Sequence, residues 1–123
     1  MFSKNITIDK ILRGKISIIQ LKKGFRFGFE AVFLAAFVNG YLKKFKKKKI
    51  SLADVGSGVG TISLIIAHQN NEINITAIEN NDKYSEIANE NILINNFQKK
   101  INLIKEDVFN LNSYLINRFD IVV

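Results

Sequence analysis

Residues 50–63 read ISLADVGSGVGTIS. A continuous apolar run, broken only by Asp54, leads into three glycines at alternate positions, Gly56, Gly58 and Gly60, and then into a second apolar run. The first run reads as a strand buried on both faces, as strands of parallel sheets are. The glycines permit positive φ and remove the Cβ that would hold a ligand off the backbone. The second run reads as an apolar helix, Gly60 to Gln69, whose first N–H groups have no partner inside the helix. A strand, a bare loop and a helix in that order predict a ligand site beyond the carboxyl end of the strand, where open parallel sheets hold their ligands.

The alternation continues to the last residue. INITAIE, 73–79, is a second strand. Asp82 to Asn95 is a helix with Tyr84, Ile87, Ala88 and Ile92 at helical spacing and Asp82 as its N-cap. INLIKED, 101–107, is a third strand, Asn110 to Asn117 a short helix, and FDIVV, 119–123, a fourth strand. This pitch predicts an α/β chain with a parallel sheet and right-handed crossovers. Ahead of it, residues 5–21 hold two short apolar runs about Arg13-Gly14-Lys15, a β-hairpin. Gly24 and Gly28 bracket an aromatic cluster, and Glu30 to Leu42, apolar almost all round, is a buried helix. The expected organisation is a hairpin, helix and lysine-rich segment over 1–49, then about four strands over 50–123.

The 123 residues suffice for one core. The chain has no cysteine, which excludes a disulfide-built secreted scaffold. No apolar stretch approaches the roughly 18 residues of a membrane span, and MFSKNITIDK lacks a signal-peptide layout, so a cytoplasmic location is expected. The net charge of +7 divides unevenly: residues 1–50 carry 13 Lys/Arg against 2 Asp/Glu, and residues 51–123 carry 5 against 9. Six of the seven positions from Lys43 to Lys49 are lysine. A basic first part fits a polyanionic partner. An AT-rich genome, which enriches Lys, Asn and Ile together, accounts for the same composition without one.

Three acids stand at three successive strand ends. The spacing G-x-G-x-G after Asp54 departs from the G-x-G-x-x-G of a dinucleotide loop, and an acid beside the loop suits a cation better than a pyrophosphate. Glu79 ends the second strand, where a carboxylate can accept from both hydroxyls of a ribose; it reads equally as a solvated strand end. Asp107 ends the third, where a carboxylate can accept from an adenine amine and the Val108 N–H can reach a ring nitrogen; it reads equally as a cap for the segment after it. Taken together they fit one nucleoside-bearing cation such as S-adenosylmethionine. His68, the only histidine, falls near the end of its helix and reads as a surface residue.

DVGSGVGTISL, AIENND and KEDVF resemble the class I S-adenosylmethionine-dependent methyltransferases over residues 50–123, about the first half of that fold. ILRGKISIIQLKKGFRFGFEAVFLAAFV resembles the opening of the bacterial tRNA(Val) adenine-N6 methyltransferase family, in which a hairpin precedes G-[FY]-R-x-[GS]-x-[DE] and a helix of small residues. The resemblance implies a Rossmann-like class I methyltransferase fold, S-adenosyl-L-methionine as cofactor, no metal, and methylation of the exocyclic N6 amine of adenine in tRNA. It implies that Gly56, Ser57, Gly58 and Gly60 line the methionine part, with Asp54 supporting the loop or meeting the ammonium. Glu79 would hold the ribose with Asn80 beside it, Asp107 and Val108 would frame the adenine, and Arg26, Phe27 and Gly28 would close over the cofactor. Phe25, Phe27 and Phe29 read equally as core packing under the sheet.

In that family the fourth strand runs into Asn-Pro-Pro-[Tyr/Phe], which holds the target amine. Here RFDIVV ends the chain and no proline occurs anywhere, so a cofactor half without an amine-holding half, the front part of a longer protein, is the expectation. No catalytic residue is assigned. RNA is the expected partner, with neither DNA nor membrane, and an unfinished sheet implies self-association. The alternatives are a release-factor-type glutamine methyltransferase, a non-catalytic cofactor- or RNA-binding remnant, and a dinucleotide oxidoreductase.

Overall fold

The computed structural model describes residues 5–46, 48–111, 115 and 117–123. Strands β1 (Ile6–Ile11) and β2 (Ile16–Leu21) form an antiparallel hairpin, with Ile6 opposite Leu21 and Ile11 opposite Ile16. Its turn places Leu12 and Arg13 at positive φ ahead of Gly14. Helix α1 (Phe29–Leu42) follows. Then come β3 (Ile50–Val55), α2 (Thr61–Gln69), β4 (Ile73–Glu79), α3 (Asp82–Ile94), β5 (Ile101–Lys105) and β6 (Ile121–Val122). The last four strands form one parallel sheet in the order β5-β4-β3-β6, so the direction of strand addition reverses at β3. That reversal places the switch point, and with it any ligand crevice, at the β3 and β4 carboxyl ends.

One side of the sheet carries the core. Leu52, Ile75 and Ile101 stand in register across β3, β4 and β5 and meet Leu64, Ile65 and Ile66 of α2 and Ile87 of α3, all buried. Ile16 and Ile18 of the hairpin and Ala35, Val38 and Leu42 of α1 join the same cluster. Residues on either side of position 49 therefore share one core.

The hairpin is fastened by side-chain amides. Asn91, fully buried in α3, accepts from the Ile19 N–H at 2.7 Å and donates to the Ile19 carbonyl at 3.0 Å. One turn on, Asn95 treats Ser17 the same way, at 3.0 Å and 2.8 Å. Alternate residues of β2 thus find on a helix the donors and acceptors that a third strand would supply, which closes an edge otherwise open to pairing. Asn91 also donates to the carbonyl of Val59 in the glycine loop at 2.9 Å, so hairpin, helix and loop meet at one side chain.

Two sequence expectations need correction. Helix α3 is capped by Asn81, whose Oδ1 accepts from the N–H groups of Lys83 and Tyr84; Asp82 is already inside the helix. A 3₁₀ turn at Val108–Asn110 precedes the segment expected as a short helix over Asn110–Asn117, of which 112–114 and 116 lie outside the described residues. Phe25 and Phe29 are 72% and 81% exposed and not core; only Phe27 of the three packs against it. The fourth strand pairs over Ile121–Val122, and Val123 extends the ladder by two bonds to Ala53 and Val55. His68 is exposed, and no helix among the described residues is long and apolar enough to cross a membrane.

Candidate functional site

A cavity of about 520 Å³ opens at the switch point. The loop after β3 forms its floor. Gly56 and Gly58 sit at φ 69° and 57°, and a Cβ built on either would meet nothing within 4 Å. Left-handed backbone requires the glycines, and the space a side chain would fill is the cavity itself.

The loop after β4 makes one wall. Glu79 is buried, its Oε2 accepting from the Gly58 N–H and its Oε1 from the Asn81 N–H, each at 2.8 Å. One carboxylate therefore ties the glycine loop to the start of α3, and each of its oxygens keeps a lone pair for a ligand. The third side is the segment that enters α1. Phe27 lies over the cavity, its N–H held by Gln20 at 3.0 Å, and the Phe25 N–H is held by the Tyr84 hydroxyl at 3.2 Å.

The electrostatics select for a cation. Glu30 and Glu79 both line the cavity, and among the described residues no lysine, arginine or histidine does. At its base α2 begins on Gly60, a left-handed residue with no side chain to cap the helix. The hydroxyls of Ser57 and Thr61, both lining residues, are buried without a partner. An unpartnered buried hydroxyl costs about 1–3 kcal/mol, which a ligand that bonds to it can offset. A molecule with a positive centre, a hydroxylated ring and a polar tail matches this set, so the residues present fit S-adenosylmethionine.

The sequence-derived candidates divide. The cavity gathers Phe27, Gly28, Gly56, Ser57, Gly58, Glu79 and Asn80. Gly60 stands behind it as the α2 N-cap, its missing Cβ directed at Ala88. Arg26 turns away: its guanidinium bonds Asp9 at 2.8 Å, Thr7 at 2.9 Å and the Leu21 carbonyl at 2.7 Å, and so braces the covering segment against the hairpin. Asp107 and Val108 are not among the lining residues; the Asp107 carboxylate caps the 3₁₀ turn by accepting from the Phe109 N–H at 2.9 Å.

Asp54 is not among the lining residues. It is 2% exposed, lies beneath the loop, and accepts from the Ser63 hydroxyl at 2.6 Å. Burial raises its pKa above the usual carboxylate range, against the side-chain and backbone hydrogen bonds from Ser63 that lower it, and the charge of Glu79 adds to the rise. The folded chain therefore holds that proton more tightly than the unfolded chain does. This contribution to stability is whole at pH below the unfolded value and is lost as pH rises through the folded one. Relative to Asp54→Asn, the wild type should lose stability as pH rises across that window. Urea unfolding of both proteins at a series of pH values tests this, and a difference between them that stays constant refutes it.

Four polar lining residues escaped the sequence reading: Glu30, Thr61, Asn81 and Tyr84. Only Glu30 had a local signal, as the acid closing the G-F-R-F-G-F-E stretch.

Residues 36–123 match the family model described as the methyltransferase small domain. The tRNA1(Val) (adenine(37)-N6)-methyltransferase of Flavobacteriaceae bacterium (strain 3519-10) is 28% identical over 109 residues, covering 89% of this chain and 44% of that protein. The chain thus spans less than half the length of this curated relative. Among solved structures, the SAM-dependent methyltransferase from Agrobacterium tumefaciens superposes with a TM-score of 0.77 at 16% identity, over 96% of this chain and 38% of its own. The plantazolicin methyltransferase BpumL in complex with SAH gives a TM-score of 0.60 at 26% identity, over 76% and 34%.

Proposed function

Since the chain belongs to the methyltransferase small domain family, whose cofactor is S-adenosylmethionine, we propose that its cavity seats that cofactor for methylation of an adenine N6 amine in tRNA. The observation that carries the seat is the pairing of an acid-lined, cation-free cavity with a glycine floor that a Cβ would fill. The tRNA substrate rests on the 28% identical relative and on the basic charge of residues 1–50. Lys43, Lys44, Lys46, Lys48 and Lys49 are exposed and free to meet phosphates, so RNA affinity should fall as salt rises.

The bound cofactor supplies a methyl group on a sulfonium, open to direct in-line displacement by an amine. The chain's own residues do the positioning, which is the larger part of such a catalysis. Glu79 would accept from the ribose while holding Gly58 in place. The bare loop lets the methionine end approach the backbone. Phe27 and Tyr84 wall the site from the side, and the Asp9–Arg26 pair and Gln20 fix the segment that bears Phe27. With no proline, these 123 residues carry no Asn-Pro-Pro amine site.

Isothermal titration should therefore show S-adenosylhomocysteine binding and no heat with NAD, and incubation with tRNA and S-adenosylmethionine should leave adenine unmethylated. A clear signal with NAD alone would transfer the cavity to dinucleotide chemistry. Methyl transfer by this chain would overturn the view that the amine site lies elsewhere.

A further inference from the structure

Helix α1 presents an aromatic stripe to solvent. Phe29, Phe33 and Phe37 are 81%, 70% and 73% exposed, Tyr41 is 49% exposed, and each follows the last by four residues, so all lie on one face. Ala36 and Gly40, both exposed, lie on that face beside them, and a Cβ built on Gly40 would meet nothing within 4 Å. Bulky rings therefore stand beside two small residues on one helix face. At about 150–250 Å² per aromatic side chain the stripe exposes on the order of 500 Å² of apolar surface. With Ala36 and Gly40 it approaches the roughly 800 Å² per partner of a stable interface.

The chemistry of the stripe selects its partner. Glu30 is the only charged residue in α1, so nothing along the stripe neutralises phosphates; the lysines begin after the helix ends. The surface is instead self-complementary, since large and small residues share one face, which an isologous two-fold contact requires. An antiparallel crossing seats Phe33 and Phe37 of each copy against Ala36 and Gly40 of the other. It also brings Glu30 at the start of one helix toward Lys43 and Lys44 just past the end of the other, and it sets the two basic segments at opposite ends. We propose that the chain forms a two-fold dimer through the exposed face of α1.

Sedimentation velocity over a range of micromolar concentrations tests this on the whole chain. The wild type should reach twice its mass of 14.0 kDa. Phe33→Lys and Gly40→Leu should each weaken the dimer by roughly 30-fold, the range of a central interface residue. Gly40→Leu also replaces glycine with a strong helix former, so its monomer should be no less stable in urea, which separates a blocked contact from a damaged fold. Ile8→Lys, at an exposed position on the hairpin, should leave the dimer intact. A wild type that stays at 14.0 kDa, alone or only shifting with oligouridine RNA or anionic vesicles, overturns the proposal. A dimer that survives both α1 substitutions also overturns it and moves the contact elsewhere, for instance to the β6 edge.

Discussion

Glu79→Ala should weaken S-adenosylhomocysteine binding by about 100-fold or more. The carboxylate would accept from two ribose hydroxyls, and hydrogen bonds to a charged group are worth about 1.5–3 kcal/mol each, so losing the pair removes at least about 3 kcal/mol of affinity. The substitution also frees the N–H groups of Gly58 and Asn81, which are held at 2.8 Å. The floor of the cavity then loses its tie to α3, and the unfolding free energy should fall by a further ~2 kcal/mol. Glu79→Gln separates the two effects. Gln offers one acceptor oxygen where two N–H groups now bond, so it should recover part of the stability and little of the affinity. Titration calorimetry and urea unfolding on the same three proteins give both readings. Wild-type affinity in Glu79→Ala would remove the ribose assignment, whatever happened to stability.

The largest stability loss should come from a residue with no place in the chemistry. Asn91→Leu keeps the volume of a buried side chain and deletes three hydrogen bonds, to the Ile19 N–H, the Ile19 carbonyl and the Val59 carbonyl. Each is left without a partner where water does not reach, at about 1–3 kcal/mol apiece. A loss of about 4 kcal/mol is a large share of the ~5–15 kcal/mol that holds a domain together, and it should lower Tm by more than about 10 °C. Asn95→Leu, at a half-buried position, should cost about 1–2 kcal/mol. Because Asn91 also holds Val59 in the loop, the affinity of folded Asn91→Leu for S-adenosylhomocysteine should drop several-fold at a temperature where the variant is native. Chemical denaturation profiles that overlay for Asn91→Leu and wild type would dismiss the amide clasp.

Which parts of the fold the sequence disclosed follows from how local their causes are. The β3 and β4 spans were read as they occur, because a strand buried on both faces leaves a continuous apolar run with no competing period. The glycine loop was legible for a similar reason: positive φ at Gly56, Gly58 and Gly60 is a demand of the backbone on its own residue. The error at the α3 N-cap was a shift of one position between two residues that both cap well, Asn81 and Asp82. The helix read as buried over Glu30–Leu42 and the aromatic residue before it misled in the other direction. Phe29, Phe33 and Phe37 count as apolar in any pattern, and an apolar pattern cannot say that one face of α1 remains uncovered.

The site shows the same division. Glu79 and the three glycines follow from strand order and local conformation; Glu79, Gly56 and Gly58 line the cavity and Gly60 stands behind it. Asp54, also at a strand end, does not line the cavity; its side chain accepts from Ser63 nine residues on. Arg26 is drawn off by Asp9 and Thr7 across the hairpin, and Thr61 and Tyr84 reach the cavity only because α2 and α3 begin where they do.

The order of apolar runs, the glycine spacing and the absence of proline and cysteine determined by themselves a parallel α/β chain with a bare loop at its first strand end. Each depends only on a residue and its near neighbours. Tertiary structure alone decided which acids face the cavity, what fastens the hairpin and which helix face is left bare. Those depend on distances between residues as far apart in the chain as Ile19 and Asn91, and such distances exist only once the core has closed.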